Sequence, residues 1–177
     1  MSDFSDFSEF FPAVRKGLIR PLVDRAVVGD GPDRRVRIEH TLMAGTGLVV
    51  AARCVIEVLR PSVTALAAGP GPGAALAATV AALAMLDERS LRVLTVATTG
   101  EAFGAIDGSD RVAVLLPGGG EVPVLDAIMD DVAARRAVPV QVVAVIDETD
   151  DAVRRRLADG GIVYIGLVTP DELGVIV

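Results

Sequence analysis

Five aliphatic runs dominate this chain: VTALAA at 63–68, LRVLTVA at 91–97, VAVLL at 112–116, VPVQVVAVI at 138–146 and IVYIGLV at 162–168. They are continuous rather than alternating, the pattern of strands buried on both faces, and such strands occur almost only in parallel sheets sheathed by helices. Helical segments fill the intervals: 74–85, 124–136 and 149–158, preceded by a largely apolar helix over 44–60 that Pro61 ends. This β-loop-α alternation predicts an α/β fold, an open, mostly parallel twisted sheet with helices on both faces. Hydrophobic residues make up 51% of the 177 and aromatics only 3%, so the core is built from Val, Leu, Ala and Ile. That length suits one domain, taken as 1–177 with 1–27 as an N-terminal helical arm. Phe4, Phe7 and Phe11 fall on one stripe of that arm if it is helical, and the alternatives are a helix packed on its own domain, a partner-docking arm or a disordered segment. GDGPD at 29–33 reads as a turn, VRIEH at 36–40 as a short strand, and TTGEAFGAIDGSD as a loop or hairpin.

Charge and composition exclude several function classes. The net charge of −7 argues against a nucleic-acid surface, which needs a basic patch. No apolar run reaches the roughly 20 residues of a membrane span. The acidic N-terminus has no basic leader region, and a single cysteine excludes an internal disulfide, so the expected location is cytoplasmic. With one His and one Cys there is no zinc site. His40 ends a short strand and reads as structural, and Cys54 in its apolar helix reads as a small buried hydrophobe. Asp147, Glu148, Asp150 and Asp151 read as a solvated helix N-terminus favoured by the macrodipole, and Arg154, Arg155 and Arg156 as a solvated helix face.

Two glycine-rich loops follow a strand and open a helix: GPGPG at 69–73 and GGG at 118–120. Free backbone N–H groups beside a helix N-terminus suit a phosphate. Gly69, Gly71, Gly73 and Ala74 are the candidate phosphate or pyrophosphate binders. Neither loop is a dinucleotide-binding G-x-G-x-x-G with its acid, and neither is followed by the lysine of a Walker A motif.

RVAVLLPGGGEVPVLDAI at 111–128 resembles, without a gap, the signature v-l-l-v-E-D-v-i-t-T-G-g-S-l-l-e-A-i of the type I phosphoribosyltransferases. AAGPGPGAALA at 67–77 is similar to the loop that cradles pyrophosphate in the orotate phosphoribosyltransferases, and AVIDETDDAVRRRLADGGI at 144–162 to their v-v-D-r-e-e-g-a-r-e-r-l-e-a-x-G-i. TGEAFGAIDGSDRVAVLL resembles the segment with k-x-h-G-x-x-i-x-G, and LVTPDEL ends as that family often does. The resemblance runs from about residue 40 to the C-terminus. It implies a phosphoribosyltransferase-like fold and a homodimer, with a site beside the two-fold interface.

The departures fall on the positions that carry the family's chemistry. The two acids that contact the ribose hydroxyls, directly or through magnesium, align with Leu115 and Leu116, and leucine accepts no hydrogen bond. The hydroxyl-rich phosphate cradle aligns with Gly119, Gly120, Glu121, Val122 and Pro123 in the loop that begins at Gly118. Glu121 brings negative charge towards a phosphate and Pro123 has no N–H. Anchored on Gly104, the basic positions of the mobile catalytic loop fall on Ala97, Thr98 and Glu101, and its His on Phe103. Lys16, the only lysine, lies far from that loop in sequence. Losing one donor to developing charge costs ~10²–10³ in rate, and here the whole set is gone. The expectation is therefore a catalytically degenerate protein with no catalytic residues and no metal. It would act as a nucleotide- or phosphate-binding, regulatory or partner module, as a homodimer or a heteromer with a true phosphoribosyltransferase. The alternative is an active enzyme that joins orotate or a related base to phosphoribosyl pyrophosphate with magnesium, in pyrimidine nucleotide synthesis.

Overall fold

A computed structural model describes residues 27–28, 35–36, 42, 45–97, 101–118 and 122–173. Residues 1–26 of the expected helical arm, with the Phe stripe and Lys16, lie outside the described residues, as do His40, Thr98, Gly119, Gly120 and Glu121, and Val27, the last residue of that arm, is in a strand.

A two-stranded antiparallel ladder comes first, β1 (Val27–Val28) with β2 (Arg35–Val36). Then follow α1 (Gly45–Val58), β3 (Ala65–Ala68), α2 (Pro72–Leu86), β4 (Arg92–Val96), β5 (Ala102–Gly104), β6 (Arg111–Gly118), α3 (Val122–Ala134), β7 (Val138–Ile146), α4 (Asp151–Asp159) and β8 (Val163–Val168). A 3-10 turn, Asp171–Leu173, closes the described chain. The main sheet has six strands in the order β5-β4-β3-β6-β7-β8, parallel throughout except for β5, which pairs antiparallel to β4. This is the open, mostly parallel α/β sheet that the aliphatic runs predict.

Strand alternation divides the core into two layers. Leu66, Ala68, Ala113, Leu115, Val143, Val145 and Leu167 pack with α1 and α2. Ala65, Ala67, Leu94, Val96, Val112, Val114, Leu116, Val142 and Ala144 pack with α3 and α4 on the opposite face. Period-2 side-chain direction does this automatically once both neighbours in the sequence are apolar.

Two polar devices fix the strands at the edge away from the candidate site. Asp110 is fully buried and accepts from Thr64 Oγ1 (2.8 Å), Arg92 Nη2 (2.5 Å) and the Asp107 N–H (2.9 Å), which ties β3, β4 and β6 together where they begin. The Asp107 carboxylate takes Arg92 and the Ser109 hydroxyl and N–H, and these bonds to its charged form hold its pKa well below the usual range. Buried Gln141 on β7 donates to the Val58 carbonyl (2.8 Å) and accepts from the Arg60 N–H (3.0 Å). Arg89 donates to the carbonyls of Arg60 (2.6 Å) and Val63 (3.1 Å). Helix ends leave carbonyls without partners, and these two side chains satisfy the group around the end of α1.

Candidate functional site

The sheet reverses direction of winding between β3 and β6. β3 leads through α2 to β4 on one side, and β6 leads through α3 to β7 on the other. Ligands of open α/β sheets bind beyond the carboxyl ends of the strands at such a switch point. Both glycine-rich segments arrive there. A Cβ on Gly69 would stand 2.8 Å from Val124 Cγ1 in the first turn of α3. A Cβ on Gly73 would stand 3.7 Å from Pro117 Cδ of β6. The structure thus brings Gly69 and Gly73 against the junction of β6 and α3, while a Cβ on Gly71 would meet open space.

Local backbone chemistry explains the first loop. Gly71 has φ 66° and precedes helix α2, a conformation that favours glycine, and Pro72 opens the helix with its fixed φ. No side chain caps this helix. With Pro70 and Pro72 lacking an N–H, the donors this loop can offer an anion are the backbone N–H groups of its glycines, beside the positive end of the α2 dipole.

The second segment departs from its expectation at one residue. Gly118, read as the start of a turn, is the last residue of β6, buried and in register with Ile146 of β7. The parallel ladder to β7 carries the strand through Pro117, because the partner strand is long enough to pair with it. Leu115 and Leu116 lie inside this strand. Leu115 is level with Ala68, the last residue of β3, and Leu116 with Ala144. Their side chains are 0% and 1% exposed and point to opposite layers of the core.

Between the end of β4 and the start of α3 lies a small cavity of about 170 Å³, lined by Val96, Ala97, Pro123, Val124 and Ala127. Its wall is apolar. The nearby charge is negative: Glu148 Oε2 would stand 3.4 Å from a Cβ on Gly118, and burial raises the pKa of that carboxyl. Ala97 and Glu101 close the β4–β5 hairpin, with the Ala97 N–H donating to the Glu101 carbonyl (2.7 Å), and Phe103 is exposed. Gly104, with φ 112°, packs so closely on the Val93 carbonyl that a Cβ has no room. Ala97, Glu101 and Phe103 thus bring no positive charge to the hairpin.

In the acidic segment after β7, Glu148, Asp150 and Asp151 are exposed at the start of α4, as expected, and Asp147 is the exception. Asp150 does cap α4, accepting from the Val153 N–H (2.8 Å). Asp147 instead is enclosed in a network. It accepts from Arg154 Nη2 (2.8 Å) and the Tyr164 hydroxyl (2.7 Å), and its N–H donates to the Val168 carbonyl (2.7 Å). Tyr164 also meets Thr149 Oγ1 at 2.8 Å, and the Arg154 guanidinium lies 5.2 Å from the Tyr164 ring centroid. Arg154 is thus a structural partner rather than a solvated cation, and Arg156 pairs with Asp126 of α3 (2.5 Å). Gly166 is the visible reason for the arrangement, since a Cβ there would collide with the Asp147 side chain. Nothing in the spacing of Asp147, Arg154 and Tyr164 announces this network before β8 is placed beside β7. Among the described residues, no group of three or more His, Cys, Asp or Glu is placed to hold a metal, and no helix is long and apolar enough to cross a membrane.

A six-strand sheet of this order, with two glycine-rich βα junctions at its switch point, is the fold of the type I phosphoribosyltransferases. The chain is similar in structure to the orotate phosphoribosyltransferase of Mycobacterium tuberculosis H37Rv in complex with inorganic phosphate, with a TM-score of 0.78 over 92% of this chain and 99% of that one at 15% identity. It is equally similar to a phosphoribosyltransferase from Corynebacterium diphtheriae, with a TM-score of 0.78, the same coverage and 15% identity. The orotate phosphoribosyltransferase of Francisella tularensis follows with a TM-score of 0.66, 14% identity, and 88% and 86% of the two chains. No family model and no curated protein matches the sequence.

Proposed function

We propose that this protein keeps the phosphoribosyltransferase scaffold without phosphoribosyl transfer, and works in the cytoplasm as a nucleotide- or phosphate-binding, regulatory or partner module. One observation carries the reading. The positions that the resemblance assigns to the two ribose-binding acids hold leucines enclosed in separate core layers. A ribose hydroxyl brought to them finds no acceptor, and an unpaired buried hydroxyl costs ~1–3 kcal/mol. The apolar wall of the adjacent cavity weighs the same way, since a pyrophosphate leaving group needs cationic support. What survives is the loop 69–73, whose backbone N–H groups bind an anion without any particular side chain.

The assembly is a homodimer, or a heteromer with a true phosphoribosyltransferase. The test is isothermal titration with phosphoribosyl pyrophosphate and magnesium, then orotate and orotidine monophosphate. Micromolar binding of an anionic ligand without turnover supports the module; silence with all three moves the role to protein partners.

Glu148 favours the second reading. A carboxylate beside Gly118 stands at the mouth of the switch crevice, where an acid could serve a ribose from β7 instead of β6. Magnesium-dependent formation of orotidine monophosphate, lost in Glu148→Gln, would establish an active transferase.

A further inference from the structure

We infer that the switch crevice takes a phosphate monoester whose far end carries an amino group, such as an aminopyrimidine or aminopurine nucleotide, and that Glu148 sets this preference. The inference rests on the reading of loop 69–73 as an anion binder and names the ligand class for that same site.

The crevice has two ends of opposite polarity. At one end the glycine N–H groups of loop 69–73 and the start of α2 present donors and positive potential. At the other end stands a carboxylate. A Cβ on Gly73 would lie 3.7 Å from Pro117 Cδ, and a Cβ on the next residue, Gly118, would lie 3.4 Å from Glu148 Oε2. Consecutive Cα atoms are about 3.8 Å apart, so loop and carboxylate gather around one peptide unit of β6. Pro117 and Gly118 face opposite sides of the strand, which keeps the two ends apart. One small molecule with a phosphate at one end and a donor at the other spans both.

The cations near Glu148 in the chain are committed elsewhere. Arg154 donates through Nη2 to Asp147 (2.8 Å) and through Nε to the Thr149 carbonyl (3.1 Å). Arg156 is paired with Asp126 of α3. Among the described residues, none makes a hydrogen bond or ion pair with the Glu148 carboxylate. One side of that carboxylate is open to water and the other lies against β6, and this partial burial raises its pKa. Its charge has lost solvent without gaining a partner, and a ligand N–H supplies one. A carboxylated base brought to the same place sets two like charges together. The apolar wall formed by Val96, Ala97, Val124 and Ala127 has no side-chain donor to favour a carbonyl- or acid-bearing ring instead.

Isothermal titration of the protein with inorganic phosphate, cytidine monophosphate, uridine monophosphate and orotidine monophosphate tests this. Cytidine monophosphate should bind about tenfold tighter than uridine monophosphate, a preference held to that size by the open side of the carboxylate, and orotidine monophosphate should bind weakest. Glu148→Ala should abolish the difference while inorganic phosphate still binds. Glu148→Lys should reverse the order, with orotidine monophosphate ahead of cytidine monophosphate. Circular dichroism checks that each variant is folded. Equal or inverted affinities in the wild type, or a preference that survives Glu148→Ala, would overturn the inference. So would a dependence on Glu148 that follows the ribose 2′-hydroxyl, seen with deoxycytidine monophosphate, instead of the amino group. Phosphate binding without base preference removes this inference and leaves the anion-binding reading standing; silence with phosphate and all the nucleotides removes both.

Discussion

Putting back the acids that the resemblance expects, as Leu115→Glu with Leu116→Asp, should destroy the fold rather than create an enzyme. Both leucines are enclosed, one in the layer under α1 and α2 and the other under α3 and α4. Truncating a buried leucine costs about 2–5 kcal/mol. Placing a carboxylate in each layer adds several kcal/mol per ion, because both positions are packed among aliphatic side chains. The sum reaches the whole ~5–15 kcal/mol of a typical domain. The gentler variants Leu115→Ala and Leu116→Ala should each lose about 2–5 kcal/mol in urea titrations followed by circular dichroism. Their losses should add within about 0.5 kcal/mol, since the two side chains share no core layer. A double-acid variant that melts with the wild type, or alanine variants that cost under about 1 kcal/mol, would refute the placement of these residues in the core. The alignment would then have to move the acids elsewhere.

Other consequences are open to simple assays. Gly69→Ala drives a methyl into Val124 Cγ1, so it should cost about 1–3 kcal/mol, and Val124→Ala in the same chain should recover most of that loss in a double-mutant cycle. Gly166→Ala displaces Asp147 from Arg154 and Tyr164, and should lower stability by about 2–4 kcal/mol in chemical denaturation. Tyr164 is the only tyrosine, and burial raises its hydroxyl pKa above the ordinary 10.0. A raised folded pKa contributes stability that is complete below pH 10 and lost as pH rises through and beyond that value. Phenolate absorbance should therefore appear only together with unfolding, and Tyr164→Phe should flatten the alkaline fall in stability. Cys54, the only cysteine, has its thiol pushed up to about 11 by burial, so a thiol reagent should label the native protein no faster than it unfolds.

The sheet was legible because the relevant signal is local. The aliphatic runs at 112–116 and 138–146 are too uniformly apolar for anything but doubly covered strands, and the structure extends the first only to Gly118. Helix limits moved by a few residues, as at α2, where Pro72 opens the helix two residues before the alanine run suggests. The meeting of the two glycine loops depends on strand order, which places β3 beside β6 and which no local periodicity states. The Asp147 network and the Asp110 tie escaped sequence reasoning for the same reason. Each joins residues from different strands, and an aspartate in a polar loop gives no local sign that it will be enclosed. Gln141 was equally silent, one polar letter in an aliphatic run, until its register placed it under the end of α1.

The central question is whether Leu115 and Leu116 have ended the chemistry. The decisive measurement is turnover of phosphoribosyl pyrophosphate with orotate and magnesium by the purified protein, with orotidine monophosphate and pyrophosphate both quantified. No product above the uncatalysed background is expected; magnesium-dependent release of the two products in equal amounts would contradict it.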